Sequence, residues 1–330
     1  MLSGYVRHGV LMSSHVSTGF SGQKELQYQT AAGNLLLEQE YLRLSGIFSA
    51  ERIPFIPLKG ITLVFRIYEH PGLRRIGDMD ILVRADDVSR ADALLKKEGY
   101  LSPGVPPLAP VRYSIYLNSL PYSKSGPTSR IVHLHWHLLN STLPLFMYRV
   151  NMDEVWDNAR IQPHSRGRIL APAHQIVYLA IHAFNHSFGQ DKWLEDIARV
   201  IARYEGSFSW EEVYRTARSW KAEVPLYCAL RLCRGDVPRG DTLLKKGCLP
   251  GGRPLYRLIS DIRHKGAGTH NQVYQLYLCM AGGLIARLRF VFLTVFPPPR
   301  ILRHIYAAHL THSLIRLYWM RLLWAVKSAF

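Results

Sequence analysis

Two aspartates separated by one residue, Asp78 and Asp80 in the run Gly77-Asp-Met-Asp-Ile-Leu-Val83, are the side chains best suited to chemistry. On a β-strand, residues i and i+2 share a face, so both carboxylates project together, about 7 Å apart along the chain. A divalent cation can be gripped between them, because Mg²⁺ takes a few carboxylate oxygens and completes its shell with a ligand's phosphates. A pair of such ions can activate an attacking oxygen and stabilise a leaving one. An isolated Asp-x-Asp is common and is usually solvated acid. Here the acids open an apolar strand, where carboxylates are disfavoured unless a cation or metal lies beside them.

Lys59-Gly60 adds a second element, at the end of one apolar run and the start of another. A glycine permits close backbone approach, while helix N-terminal amides and a lysine attract phosphate oxygens. As a lone tripeptide, Leu58-Lys59-Gly60 is a weak signal and reads sooner as a turn glycine beside a surface lysine. Arg74 and Arg75 precede the acids and could neutralise a polyphosphate; their bland role is to pair with Asp78, Asp80 or Glu69. His133, His135 and His137 fall on one face of a predicted strand, as a zinc site or, more simply, a ladder lining a cleft. His182 and His186 lie one helical turn apart, with His174 and Asp196 in the same region. Without the glutamate of a zinc-protease helix they read as packing and hydrogen-bonding groups rather than ligands.

The elements that must position these residues follow from periodicity. Residues 1–25 lack a period and read as a flexible tail, whereas Gln27–Ala50 forms an amphipathic helix with Leu35, Leu36, Leu42, Ile47 and Phe48 as its stripe. Ile53–Leu58 carries prolines and suits an edge strand. A helix at Ile61–Tyr68, a strand at Asp78–Val83 and a helix at Ala85–Glu98 stopped by Gly99 come next. A proline-rich connection, Ser102–Pro110, leads to strands at Val111–Leu117 and Ile131–Leu139. Beyond residue 150 the pattern is mostly helical. The expectation is a core at 26–150 and a helical domain at 151–330.

The 330 residues include 41 Lys and Arg against 24 Asp and Glu, a formal charge of +17, which suits nucleotides, nucleic acid or an anionic membrane surface as partners, or a merely solvated basic face. The excess is concentrated. From Ile262 to Phe330 there is no acid, while nine Lys and Arg occur. With 48% apolar and 20% charged residues the chain is ordinary globular protein rather than disordered. Four cysteines without paired spacing indicate reduced, buried thiols, and the N-terminus reads as no secretion signal, so a cytoplasmic chain is expected. Arg287, Arg289, Pro297 and Arg303 interrupt the apolar C-terminus before membrane-spanning length, leaving His304–Val326 as a basic amphipathic segment. It can pack on the protein, lie on the inner face of a membrane or contact a nucleic-acid backbone.

Taken in order, Ile53-Pro-Phe-Ile-Pro-Leu-Lys-Gly60, Pro71-Gly-Leu-Arg74, Gly77-Asp-Met-Asp-Ile-Leu-Val83 and Gly99-Tyr100 resemble the uncharacterised nucleotidyltransferase family of the DNA polymerase beta-like superfamily. Leu134-His135-Trp136, Pro172, His174, His182, His186, Trp193, Leu194 and Asp196 extend the resemblance over about residues 30–200. It implies an α/β (α+β) polymerase beta-like core, a mixed sheet flanked by helices, with a mainly α-helical C-terminal domain that supplies the acceptor pocket. It also implies transfer of a nucleoside monophosphate from an NTP to an unknown acceptor hydroxyl (small molecule, sugar, protein or RNA) with release of pyrophosphate. Asp78 and Asp80 would bind Mg²⁺ or Mn²⁺, and Lys59, Gly60 and Arg74 the triphosphate. The superfamily's third carboxylate would stand at His133, which would serve instead as ligand or base. That departure keeps open a catalytically weakened nucleotide-binding or regulatory protein, just as the basic C-terminus keeps open a nucleic-acid or membrane-surface binder.

Overall fold

A computed structural model describes residues 20–102, 113–125, 130–161, 167–233, 274, 276–278, 280–281, 283–309 and 311–329. Residues 1–19 of the expected tail, most of the proline-rich connection, and Cys248 and Cys279 lie outside them. Cys228 is buried; Cys233 is only partly buried and its thiol donates to the Leu194 carbonyl at 3.5 Å.

A four-stranded mixed sheet carries the site. Its strands are β1 (Phe55–Leu58), β2 (Met79–Val83), β3 (Ser119–Lys124) and β4 (Arg130–His135), in the order β1-β2-β4-β3. β2 pairs antiparallel with β1 and parallel with β4, and β3 pairs antiparallel with β4. β1, with Pro57, is an edge strand, where a missing N–H is tolerated. Period-two alternation divides the two inner strands between two cores. Met79, Ile81, Val83, Val132 and Leu134 face a smaller cluster with α1 (Phe20–Ala50) and α3 (Val88–Lys97). Leu82 faces the other way, into a larger cluster, and Asp80, His133 and His135 share its side.

That larger cluster is built on α5 (Pro172–Asn185), nearly every residue of which is buried, with α6 (Asp191–Arg203), α7 (Trp210–Ser219) and α8 (Glu223–Leu232) around it. It runs from Ile56 to Phe290 and so crosses residue 150 without a break in packing. α2 (Lys59–Arg66) follows β1 directly, α4 (Met152–Asn158) precedes a two-stranded ribbon of β5 (Arg160–Ile161) and β6 (Arg168–Ile169), and α9 (Leu284–Val295), α10 (Pro299–Ile305) and α11 (Leu314–Ala329) close the chain. Among the described residues no helix is long and apolar enough to cross a membrane.

Several expectations are corrected. Phe20–Glu25 belong to α1 rather than to a tail. The buried stripe of α1 is Leu37, Tyr41, Leu44 and Phe48, while Leu35, Leu36 and Leu42 are exposed. The pattern of apolar residues fits two faces of a helix this leucine-rich, and only the docking partner decides between them. The strand expected at Val111–Leu117 lies instead at Ser119–Lys124, where Leu120 and Tyr122 alternate inward; 111–112 fall outside the described residues. β4 ends at His135, so His137 leaves the strand face: it sits 5.1 Å from the Tyr113 ring and accepts a hydrogen bond from the Leu139 N–H at 2.9 Å. The trio of histidines is a pair.

Candidate active site

A cavity of about 390 Å³ opens between the sheet and the α5–α6 layer. Its sheet wall carries Lys59, Gly60, Arg74, Asp78, Asp80, His133 and His135, so all six sequence-predicted site residues converge there. Register explains part of this: Asp80 and His133 are direct partners on the parallel strands β2 and β4. Asp78 precedes β2 and shares the Asp80 side by the two-residue period.

Asp80 is buried, and its contacts with Lys59 and His135 share one oxygen. Its Oδ1 lies 3.0 Å from Lys59 Nζ and 2.8 Å from His135 Nε2. Burial opposes the ionisation of Asp80, but the Lys59 charge and the hydrogen bond from His135 outweigh it and hold the carboxyl far below the usual range. Burial likewise works against the Lys59 charge, and Asp80 overrides it to keep the ammonium protonated. Asp78 is the opposite case: burial and the neighbouring Asp80 charge both raise its pKa. Its Oδ2 faces His133 Nδ1 at 3.6 Å, and the same nitrogen lies 3.9 Å from Asp80 Oδ1. Burial lowers the pKa of His135 despite the contact with Asp80.

Among the described residues, Asp80, His133 and His135 are the one group whose ligand atoms converge as a metal would require, all within 4.8 Å. The converged donors are one carboxylate and two imidazoles, and Asp78 stands beside them, 3.6 Å from His133. That chemistry fits a divalent cation, and the imidazoles favour Mn²⁺ or a softer ion over strictly oxygen-seeking Mg²⁺.

The phosphate-binding candidates differ from one another. α2 has no side-chain cap at its N-terminus, so its first amides, including that of Gly60 at the cavity wall, have no intrahelical partner. Lys59 starts the helix at φ 49°, a left-handed conformation that costs a non-glycine residue about 1–3 kcal/mol. A Cβ on Gly60 would come within 2.8 Å of Arg74 Nη1. Arg74 Nη1 donates to the neighbouring Arg75 carbonyl at 3.4 Å, but its ion pair is distant in sequence. Its Nε and Nη2 bind Asp196 Oδ1 and Oδ2 at 2.6 and 2.8 Å, a bidentate, buried pair to which Tyr68 adds a hydroxyl donor at 2.8 Å. The bland alternative for Arg74, an ion pair with Asp78, Asp80 or Glu69, is not what forms: its carboxylate partner is on α6, and its Nη1 lies toward Gly60.

Asn34 of α1 holds the segment that carries Arg74. Its side chain donates to the carbonyls of Pro71 and Arg74 at 2.6 and 2.8 Å and accepts from the Ile76 N–H at 3.0 Å. Sequence reasoning missed this residue, since a single Asn in a helix carries no local signal. It placed His135 in a ladder lining a cleft, and His135 does line the cavity, but it named Asp196 only as a residue near His182 and His186 and not as the partner of Arg74.

The opposite wall comes from helices: Tyr178, His182, Asn185 and His186 from α5 and its end, Lys192 and Trp193 from α6. The His186 ring stacks on Trp193 at 4.8 Å, and His182 meets both edge-on. Burial and then the Lys59 charge hold His182 neutral, well below the usual histidine range. His174 is not part of this group; it packs 5.1 Å from Trp220.

No curated protein matches the chain closely enough to count as a relative. A family model described as uncharacterised nucleotidyltransferase matches residues 22–235, well over half of the 330 residues and inclusive of every cavity-lining side chain named above. The chain belongs to this uncharacterised nucleotidyltransferase family.

Proposed function

We propose that this protein transfers a nucleoside monophosphate from an NTP to an acceptor hydroxyl, releasing pyrophosphate, with Asp78 and Asp80 as ligands of a divalent cation, Mn²⁺ or Mg²⁺. The observation that carries the reading is the convergence of Asp78, Asp80 and His133 on one cavity wall beside the uncapped start of α2. Bound there, the cation would neutralise phosphate charge and lower the barrier to displacement at phosphorus. The amides around Gly60 and the ammonium of Lys59 hold the polyphosphate, and the Nη1 of Arg74 assists from a guanidinium clamped by Asp196. His133, in this reading not a ligand of the cation, accepts the proton of the attacking hydroxyl at Nδ1; the new P–O bond forms as the bond to pyrophosphate breaks. The 26–150 core thus supplies the nucleotide site, and the helical part, through His182, His186, Lys192 and Trp193, the acceptor pocket.

Titration of a nonhydrolysable NTP in Mn²⁺ should give binding that Asp78→Asn abolishes while leaving the fold intact. Equal affinity in that variant would remove the metal-site assignment.

A second reading is favoured by one contact. Lys59 and His135 already occupy Asp80 Oδ1, so the chain could bind nucleotide as a regulator without turnover. Pyrophosphate release over a panel of acceptor hydroxyls separates the two: binding without release supports the regulator.

A further inference from the structure

The C-terminal helices turn apolar faces outward. On α9, Leu284, Ile285, Leu288 and Phe292 are exposed, Ile285 to 84%, and Phe296 continues the row just past the helix end. At 100° per residue these five fall within a sector of about 120°. Phe290 and Thr294, on the other side, are buried in the protein. On α11, Ile315, Trp319, Leu323 and Val326 form a second exposed row, Ile315 to 83%, within a sector of about 80°. Leu317, Arg321 and Ala325 form the buried side of that helix. Both helices are anchored, so these rows are not frayed ends: Tyr274 packs on Phe290 at 5.5 Å and on Trp324 at 5.6 Å. The rows adjoin through Phe296, whose ring is 5.3 Å from Phe292 and 6.0 Å from Tyr318.

Nine exposed large apolar side chains in two adjoining rows are far more than the scattered singles of an ordinary surface. The charged residues of the segment that carries them are all of one sign. Arg289, Arg316 and Lys327 flank the rows, Arg303 lies on the connecting α10, and no Asp or Glu occurs after Asp261. A protein partner would ordinarily meet such a face with carboxylates, and so would a second copy of this chain, which has none in this segment to offer. A nucleic acid would use the cations but leave the outward leucines, isoleucines and phenylalanines in water. An anionic bilayer uses both: the apolar row sinks to the level of the acyl chains while Lys and Arg stay among phosphate headgroups.

We propose that α9 and α11 form a monotopic docking surface for an anionic lipid bilayer. The helices lie in the plane of the interface, with Leu288, Phe292, Ile315 and Trp319 as the inserted side chains. The surface is continuous with the cavity-bearing body, since Tyr277 stacks on Phe290 and bonds to Asn185 of the cavity wall. The proposal is independent of the nucleotide reading.

Flotation of the full chain with vesicles tests it. The protein should float with vesicles of phosphatidylcholine containing one-third phosphatidylglycerol, stay behind with phosphatidylcholine alone, and dissociate progressively as salt rises. Leu288→Gln with Phe292→Gln, and separately Ile315→Gln with Trp319→Gln, should each weaken binding by about tenfold or more. Because these side chains are exposed, helix content and melting should be unchanged. In the unmodified chain, hydrogen exchange should slow in α9 and α11 when anionic vesicles are added. Failure of the unmodified chain to float, undiminished binding in both variants, or retention of single-stranded RNA in place of vesicles would each overturn the proposal. So would a dimer in solution that both variants dissociate, since a second copy would then be the occupant.

Discussion

The two walls of the cavity solve the burial of polar groups in opposite ways. The sheet wall keeps its charges and pairs them: Asp80 with Lys59 and His135, and Arg74 with Asp196 reached across from α6. The helical wall is mostly uncharged, with His182 held neutral and the His186 and Trp193 rings stacked, and its one cation, Lys192, lies 5.9 Å over the Trp193 ring rather than against a carboxylate. In the proposed reaction the wall of paired charges exchanges its partners for a cation and a polyphosphate, whereas the aromatic wall offers shape and stacking. The difference separates a chemical surface from a selecting one.

The sharpest break in the comparison is Asp80→Ala. It strands the Lys59 ammonium beside two imidazoles and should cost about 3–5 kcal/mol of stability together with all transfer activity. A denaturant titration showing a loss under about 1 kcal/mol would mean that the sheet wall does not depend on paired charge. Asp196→Ala should cost roughly 3 kcal/mol for the same reason. Combining Asp196→Leu with Arg74→Met should recover most of that stability but not nucleotide affinity, which distinguishes a guanidinium aimed at phosphate from one that merely packs. His133→Asp restores a carboxylate at the third position, and should shift relative affinity toward Mg²⁺ over Mn²⁺ by about tenfold in a metal titration. Trp193→Ala touches only the selecting wall: the acceptor KM should rise severalfold while NTP affinity stays level. Equal effects on both would dissolve the division of labour.

A smaller effect comes from pH. Burial lowers the His137 pKa from its ordinary value to about 4, so the unfolded chain binds protons in a range where the folded chain does not. Stability contributed by this neutral imidazole is complete above about pH 6.5 and is lost as pH falls toward 4. His137→Asn, which keeps an acceptor for the Leu139 N–H, should flatten that limb in melts followed across pH.

Much of the sheet wall was legible in the sequence because strand periodicity is local. Alternation alone puts Asp78 and Asp80 on one face, and the same rule puts His133 with His135. The termination of β4 was not legible, since the bend that removes His137 follows from packing beyond the strand. The partner of Arg74 was hidden for a similar reason: Asp196 is 122 residues away, and a nearby acid always looks the more obvious choice. The misplaced third strand shows a further limit. Pro121 and the polar residues at 119–124 resemble a turn, but pairing with β4 at the sheet edge imposes the extended conformation from outside.

The latch made by Asn34 has a consequence for how the site comes into being. Three hydrogen bonds join α1 to the Pro71–Ile76 segment across some forty positions of chain, so the course of the arginine-bearing loop depends on the docking of the first helix. If the cavity takes nucleotide as proposed, a chain shorn of that helix should lose the affinity through a loop it no longer holds, although no cavity-lining side chain has been removed.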